Sequence, residues 1–152
     1  MFATAQGVGP DAAFTNPSNP RSGPSDLALP YKNVYVVDDE SAVRHSTVFL
    51  LRTTGYQPLS FAAGRDFLEA MPTLDPGVVL LDLRMPEMDG IEVIKRMNGH
   101  IQRLPVIIMT GHADPAMAVN MSKLGAVGFI EKPYSEDDLL VLLDRALDGI
   151  QK

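Results

Sequence analysis

From Tyr31 onward, short apolar runs rich in β-branched residues alternate with longer stretches whose apolar positions fall three or four apart. The first run, about Asn33 to Val37, predicts a strand. A helix follows from about Ser41 to Thr53, with Val43, Thr47, Leu50, Leu51 and Thr54 on its inward face and Gly55 as its stop. A weaker strand, Gln57 to Phe61, leads into a short helix from about Gly64 to Ala70, ended by Pro72. The clearest strand is Gly77 to Leu81, followed by a loop from Asp82 to Asp89 and a helix from Gly90 to about Met97. Leu104 to Met109 form the fourth strand. Met117, Met121 and Leu124 recur at helical spacing after Asp114-Pro115, with Gly125 as the stop. Ala126 to Ile130 is the last strand, and Ser135-Glu136-Asp137-Asp138 cap a final helix carrying Leu139, Leu142, Leu143, Ala146 and Leu147. This is an α/β chain with strict (βα)5 alternation. Its strands are almost uniformly apolar, so a parallel sheet covered by helices on both faces is expected.

The segment before this pattern differs in kind. Five of the twelve prolines (Pro10, Pro17, Pro20, Pro24 and Pro30) lie there among Ser, Asn, Gly and Ala, with no apolar periodicity. Such a stretch cannot bury enough surface to offset its ordering entropy. Residues 1 to about 30 are therefore expected to be a disordered arm, a passive extension, and residues 31–152 the folded domain.

Composition narrows the chemistry. A chain of 152 residues with 45% hydrophobic content has room for one domain with a proper core. The absence of cysteine excludes disulfides, thiolate metal sites and thiol catalysis. A net charge of −6 argues against broad electrostatic binding to nucleic acid or to an anionic membrane, and points to proteins and cations as partners. With no apolar run of spanning length and no secretory signal pattern, the expected compartment is the cytoplasm.

Polar residues interrupt the pattern where the hydrophobic runs stop. Asp38 and Asp39 follow the first strand, Asp82 the third, Thr110 the fourth and Lys132 the fifth. In a parallel sheet these ends share one edge, which gathers three carboxylates, a hydroxyl and an ammonium into one crevice. Taken singly, such residues also serve as solvated turns, strand ends or helix caps. Three carboxylates together raise one another's pKa unless a hard, oxygen-preferring cation neutralises them. Mg²⁺ suits that role, with Mn²⁺ as an alternative, and a carboxylate left free can attack phosphorus. Lys132 and Thr110 then supply the point charge and the hydroxyl that a phosphoryl group in transfer needs. Pro133 allows a tight turn that aims Lys132 into the crevice.

The stretches Val36-Val37-Asp38-Asp39-Glu40, Leu81-Asp82-Leu83-Arg84-Met85-Pro86-Glu87-Met88-Asp89-Gly90, Pro105-Val106-Ile107-Ile108-Met109-Thr110-Gly111-His112 and Gly125-Ala126-Val127-Gly128-Phe129-Ile130-Glu131-Lys132-Pro133 resemble the receiver domain of two-component response regulators. Among these the chain is most similar to FixJ-type receivers, from about Lys32 to Gly149. The resemblance implies a flavodoxin-like, doubly wound sheet of strand order 2-1-3-4-5. It also implies phosphorylation of Asp82 by a sensor histidine kinase or a histidine phosphotransfer protein. Asp39 and Asp82 would ligate Mg²⁺ directly, Asp38 mainly through water, and the backbone carbonyl of Arg84 would complete the protein ligands. Lys132 and Thr110 would contact the phosphoryl oxygens. Phe129, three residues before the lysine, would be the switch aromatic, reporting its state by packing alone because it has no hydroxyl. The surface for a downstream protein partner would be the face of the fourth helix, last strand and last helix, and a phosphorylation-dependent homodimer is a further expected partner.

Arg84 and His112, two residues after Asp82 and Thr110, are expected to flank the path of a water attacking the acyl phosphate, and so to tune its lifetime. His45 and His100 have no acids at ligand spacing and receive no role. Such a protein is not an enzyme toward other substrates, catalysing only its own phosphorylation and dephosphorylation. Two organisations are expected: a stand-alone regulator or phosphate sink, or the receiver of a FixJ-type transcription factor. Phosphohydrolases of the haloacid-dehalogenase type share the Asp, Mg²⁺, Thr or Ser, and Lys. They require a second Asp two residues after the nucleophile, where this chain has Arg84, or Glu40 if counted from Asp38. No Gly-rich phosphate loop follows the first strand, which disfavours a nucleotide-binding module.

Overall fold

A computed structural model describes residues 32–151, so the expected arm over residues 1 to about 30 lies outside them. Five strands, β1 (Asn33–Val37), β2 (Gln57–Phe61), β3 (Val78–Asp82), β4 (Val106–Thr110) and β5 (Gly128–Glu131), alternate with five α-helices. These are α1 (Ser41–Thr53), α2 (Gly64–Ala70), α3 (Gly90–Met97), α4 (Pro115–Lys123) and α5 (Glu136–Gln151). All strand pairs are parallel and the sheet order is β2-β1-β3-β4-β5, the flavodoxin-like arrangement.

The alternation of side chains along each strand divides the core into two layers. Tyr35, Val37, Val79, Leu81, Val106 and Ile108 form one cluster with Phe67 of α2, Val93, Ile94 and Met97 of α3, and Met121 of α4. The alternate strand residues Val34, Val36, Val78, Leu80 and Ile107 are fully buried as well. Leu51 of α1 and Leu139 and Leu143 of α5 are likewise fully buried, α1 packing on β1 and β2 and α5 on β3 and β5. A sheet buried on both faces explains why its strands read as continuous apolar runs. No helix among the described residues is long and apolar enough to cross a membrane.

Helix boundaries follow the expected signals. Gly55 and Gly125 adopt φ of 95° and 110° just beyond α1 and α4, which side chains with a Cβ rarely tolerate. The side chains of Asp89 and Asp114 accept from the backbone N–H of Glu92 and Met117, and Ser135 Oγ accepts from that of Asp138. Three strands are displaced from their expected bounds. β3 and β4 run one residue further, so Asp82 and Thr110 are the last residues of strands rather than the first of loops. Pairing holds them there: Asp82 sits opposite Met109, and the Leu83 N–H donates to the Met109 carbonyl at 2.9 Å. β5 begins at Gly128 rather than Ala126. β4 begins after Pro105, whose nitrogen has no hydrogen to donate to the ladder.

Candidate functional site

The carboxyl ends of β1, β3 and β5 bring Asp38, Asp39, Asp82 and Lys132 together, and Thr110 ends the intervening strand β4. A carboxylate oxygen from each of Asp38, Asp39 and Asp82 lies within 4.8 Å of the others. Asp38 is 0% exposed and Asp82 5%, whereas Asp39 is open to solvent. Lys132 Nζ donates to Asp38 Oδ2 at 2.9 Å and stands 3.5 Å from Asp82 Oδ1 and 3.6 Å from Glu40 Oε1. Glu40 was not among the expected site residues; its place, next after the acidic pair, was the available signal. The Lys132-Pro133 peptide bond is cis.

Local bonds hold the acidic turn after β1. Asp38 Oδ1 accepts from the Glu40 N–H at 3.0 Å, and the Arg44 guanidinium donates to the Asp38 carbonyl at 2.7 Å. Arg44 carried no recognisable signal in the sequence, since a basic residue in the first turns of a helix is ordinarily a solvated one. Thr110 is 1% exposed; its Oγ1 accepts from the His112 N–H at 3.2 Å and lies 3.3 Å from the His112 carbonyl. The hydroxyl is thus occupied by its own turn.

Electrostatics follow from this crowding. Burial, then the neighbouring Asp38 charge, push Asp82 up to about 6, against the lowering effect of Lys132 and of the Arg84 backbone N–H. Burial pulls the Lys132 ammonium down, but its hydrogen bond to Asp38 and the charges of Asp38, Asp82 and Glu40 outweigh that and hold it above its ordinary value. One lysine facing several carboxylates leaves negative charge in excess. Three converging carboxylate oxygens, two on groups withdrawn from water, form the donor set a hard divalent cation takes, so these residues fit Mg²⁺.

The loop after β3 is folded tightly against the site. The Gly90 N–H donates to the Leu83 carbonyl at 2.9 Å. A Cβ on Gly90 would lie 2.8 Å from the Asp82 carbonyl oxygen and 3.1 Å from Leu83 Cα, both backbone atoms that cannot turn aside. Gly90→Ala is therefore expected to displace the backbone under Asp82 and to cost about 1–3 kcal/mol. Urea unfolding measures that cost, and an unchanged midpoint would contradict it. In the same loop Glu87 has φ of 67° and is spanned by a Met88 N–H to Pro86 carbonyl bond of 2.7 Å, a tight γ-turn that its residue type did not announce.

The remaining expected residues take different positions. The Arg84 and His112 side chains are exposed. Phe129 is half-buried, lies opposite Ile108 of β4 and packs against the core cluster. A cavity of about 110 Å³ beside it is lined by Ala118, Met121, Ser122 and Ala126. His45 is exposed. His100, expected to have no role, accepts through Nδ1 from the Arg103 guanidinium at 2.8 Å, while Arg103 also donates to the Met71 carbonyl. That cluster joins the turn after α2 to the approach to β4, away from the crevice.

The response regulator receiver domain family matches residues 34–144. The chain belongs to this family. Receivers are phosphoacceptors, not catalysts acting on a separate substrate, and their partners are histidine kinases. The Asp38, Asp39 and Asp82 cluster is the acidic triad typical of their Mg²⁺ site. Among curated relatives, the transcriptional regulatory protein FixJ of Bradyrhizobium diazoefficiens is 44% identical over 115 residues, covering 76% of this chain and 56% of that protein. The tetrathionate response regulatory protein TtrR of Salmonella typhimurium is 41% identical over 114 residues, covering 75% and 55%. The receiver chain thus spans little more than half the length of these relatives. The crystal structure of FixJ-N superimposes with a TM-score of 0.71 at 38% identity, covering 78% of this chain and 94% of that one.

Proposed function

We propose that this receiver is a Mg²⁺-dependent phosphorylation switch in which Asp82 accepts the phosphoryl group of a phosphohistidine on a sensor kinase or phosphotransfer protein. The observation that carries this is the convergence of Asp82, Asp38 and Asp39 with Lys132, at the ends of strands on either side of β4, whose last residue is Thr110. An Asp82 carboxylate oxygen attacks phosphorus, the phosphorus–nitrogen bond breaks, and the electron pair leaves with the imidazole. Asp38, Asp39, Asp82 and the Arg84 carbonyl would hold Mg²⁺, which when bound neutralises the carboxylates and the phosphoryl oxygens. Lys132 supports the equatorial oxygens with its charge, already 3.5 Å from Asp82.

Switching then proceeds through Thr110. The phosphoryl group offers strong acceptors, so the Thr110 hydroxyl exchanges its bonds with the His112 backbone for one to a phosphoryl oxygen. Its displacement opens space toward which Phe129 turns, and the adjoining cavity gives the ring freedom to leave its present place. The change reaches the surface of α4, β5 and α5, where Val119, Val127 and Val141 are exposed apolar residues for a protein partner or a second copy. The exposed Arg84 and His112 side chains flank the approach of water to the acyl phosphate and set its lifetime.

Acetyl phosphate with Mg²⁺ should add one phosphoryl group to the purified protein, detected by mass spectrometry and absent after chelation or in Asp82→Asn. A label that persists in Asp82→Asn, or forms equally without a divalent cation, would overturn the proposal.

A further inference from the structure

Tyr134 lies in the loop between β5 and α5, two residues after Lys132, and its hydroxyl is 2.6 Å from Thr47 Oγ1 on α1. Thr47 is only 4% exposed and Tyr134 is half-buried. Both line an apolar groove of about 920 Å³, with Val43, Leu50, Lys132 and Pro133 among its walls. Packing alone gives no reason for a hydroxyl pair here. Two apolar side chains of the same shape would fill the space at nearly equal stability, whereas one hydroxyl left without the other would be costly.

The pair does accomplish one thing that apolar residues would not. It fastens the lysine-bearing loop to α1, and α1 is itself fastened to the acidic turn, because Arg44 donates to the Asp38 carbonyl at 2.7 Å. Lys132 closes the circuit on the Asp38 side chain at 2.9 Å. Contacts therefore run in a ring from Asp38 through Arg44, α1, Thr47 and Tyr134 to Lys132 and back. A ring of directional bonds restrains the ammonium more tightly than a flexible four-carbon stem could alone. Burial holds the Tyr134 phenol above its ordinary pKa despite the opposing Thr47 bond and Lys132 charge, so the hydroxyl stays neutral at physiological pH and can donate or accept.

We propose that Tyr134, paired with Thr47, is a positioning residue for phosphoryl transfer, holding the Lys132 ammonium over the carboxylates of Asp38 and Asp82. It acts through Lys132 and touches no reacting atom. The inference rests on the reading of Asp82 as phosphoacceptor.

The test compares the full chain with Tyr134→Phe, Thr47→Val and the double variant, each checked for folding by circular dichroism. Initial phosphorylation rates are measured with acetyl phosphate while Mg²⁺ is varied. Each single change should lower the maximal rate about three- to tenfold, with the Mg²⁺ concentration for half-saturation unchanged. The double variant should be no slower than either single variant, because one tether has been removed. Its urea midpoint should return toward wild type, since no hydroxyl is left buried alone, while its rate does not recover. A wild-type rate in Tyr134→Phe overturns the proposal. So does recovery of rate in the double variant, which would make the pair a matter of packing, or losses that multiply, which would make the hydroxyls independent. If the wild-type protein takes no label that depends on Asp82, the phosphoacceptor reading itself fails. Normal wild-type labelling with an unaffected Tyr134→Phe removes the positioning role alone.

Discussion

Asp82→Asn is expected to make the metal-free protein more stable near neutral pH while removing its capacity to be phosphorylated. Burial and the Asp38 charge raise the folded-state pKa of Asp82 from 3.8 to about 6. The folded state therefore binds this proton more tightly than the unfolded chain does. Below the unfolded value both states carry the proton and the favourable contribution is fully present; it is lost as pH rises through about 6. Asparagine carries no charge at any of these pH values and escapes the loss. In chelator, its advantage should be small at about pH 4, grow between about pH 4 and 6, and level off above that at roughly 1–3 kcal/mol. Saturating Mg²⁺ should narrow the gap, because a cation bound about a hundredfold above its dissociation constant adds about 2.7 kcal/mol to the wild-type fold. Urea unfolding with and without Mg²⁺ across this range measures both effects. An Asn variant less stable than wild type at about pH 7.5 in chelator would show that Asp82 is not strained by its surroundings.

Lys132→Met should act in the opposite direction. The side chain keeps much of its length but loses the cation that faces Asp38 at 2.9 Å and Asp82 at 3.5 Å. Asp38 is fully buried and would have lost its only ion-pair partner among the described residues. Breaking one side of a buried pair costs about 3–5 kcal/mol, and the partial exposure of Lys132 reduces this to about 2–4 kcal/mol. Near neutral pH the metal-free variant should therefore unfold at markedly lower urea. Part of the loss should return on adding Mg²⁺, which replaces the missing positive charge, and part on acidification, which protonates Asp82. Phosphorylation by acetyl phosphate should slow on the order of a hundredfold, the scale of removing one preorganised charge from a transferring group. A variant as stable as wild type in chelator would mean that the ammonium does not balance the buried carboxylates.

The two variants move stability in opposite senses because the crevice holds more negative charge than its one lysine can balance. That excess was legible from position alone, since parallel strands carry whatever follows them to the same edge. The same reasoning places Thr110 and Lys132 at that edge, where Thr110 is the last residue of β4 and Lys132 Nζ stands 2.9 Å from Asp38 and 3.5 Å from Asp82. Strand ends were less legible. Asp82 and Thr110 look like loop residues because they are polar, yet backbone pairing, of Asp82 with Met109 of β4 and of Thr110 with Glu131 of β5, draws them into the sheet. Ladder hydrogen bonds are indifferent to side-chain polarity. Arg44, Glu40 and the pair of Thr47 with Tyr134 were hidden for a different reason. Thr47 reads as an ordinary inward helix position and Tyr134 as a loop aromatic, and 87 residues separate them.

The order of strands and helices, the double-sided burial of the sheet and the presence of three carboxylates, a hydroxyl and a lysine at one edge are properties of the sequence itself. They depend on local periodicity and on the rule that parallel strands end together. Tertiary structure alone decided which carboxylates are withdrawn from water, which of them the ammonium touches, and which side chains hold that ammonium in place. Those outcomes depend on distances of a few ångströms between residues far apart in the chain, and no local pattern encodes them.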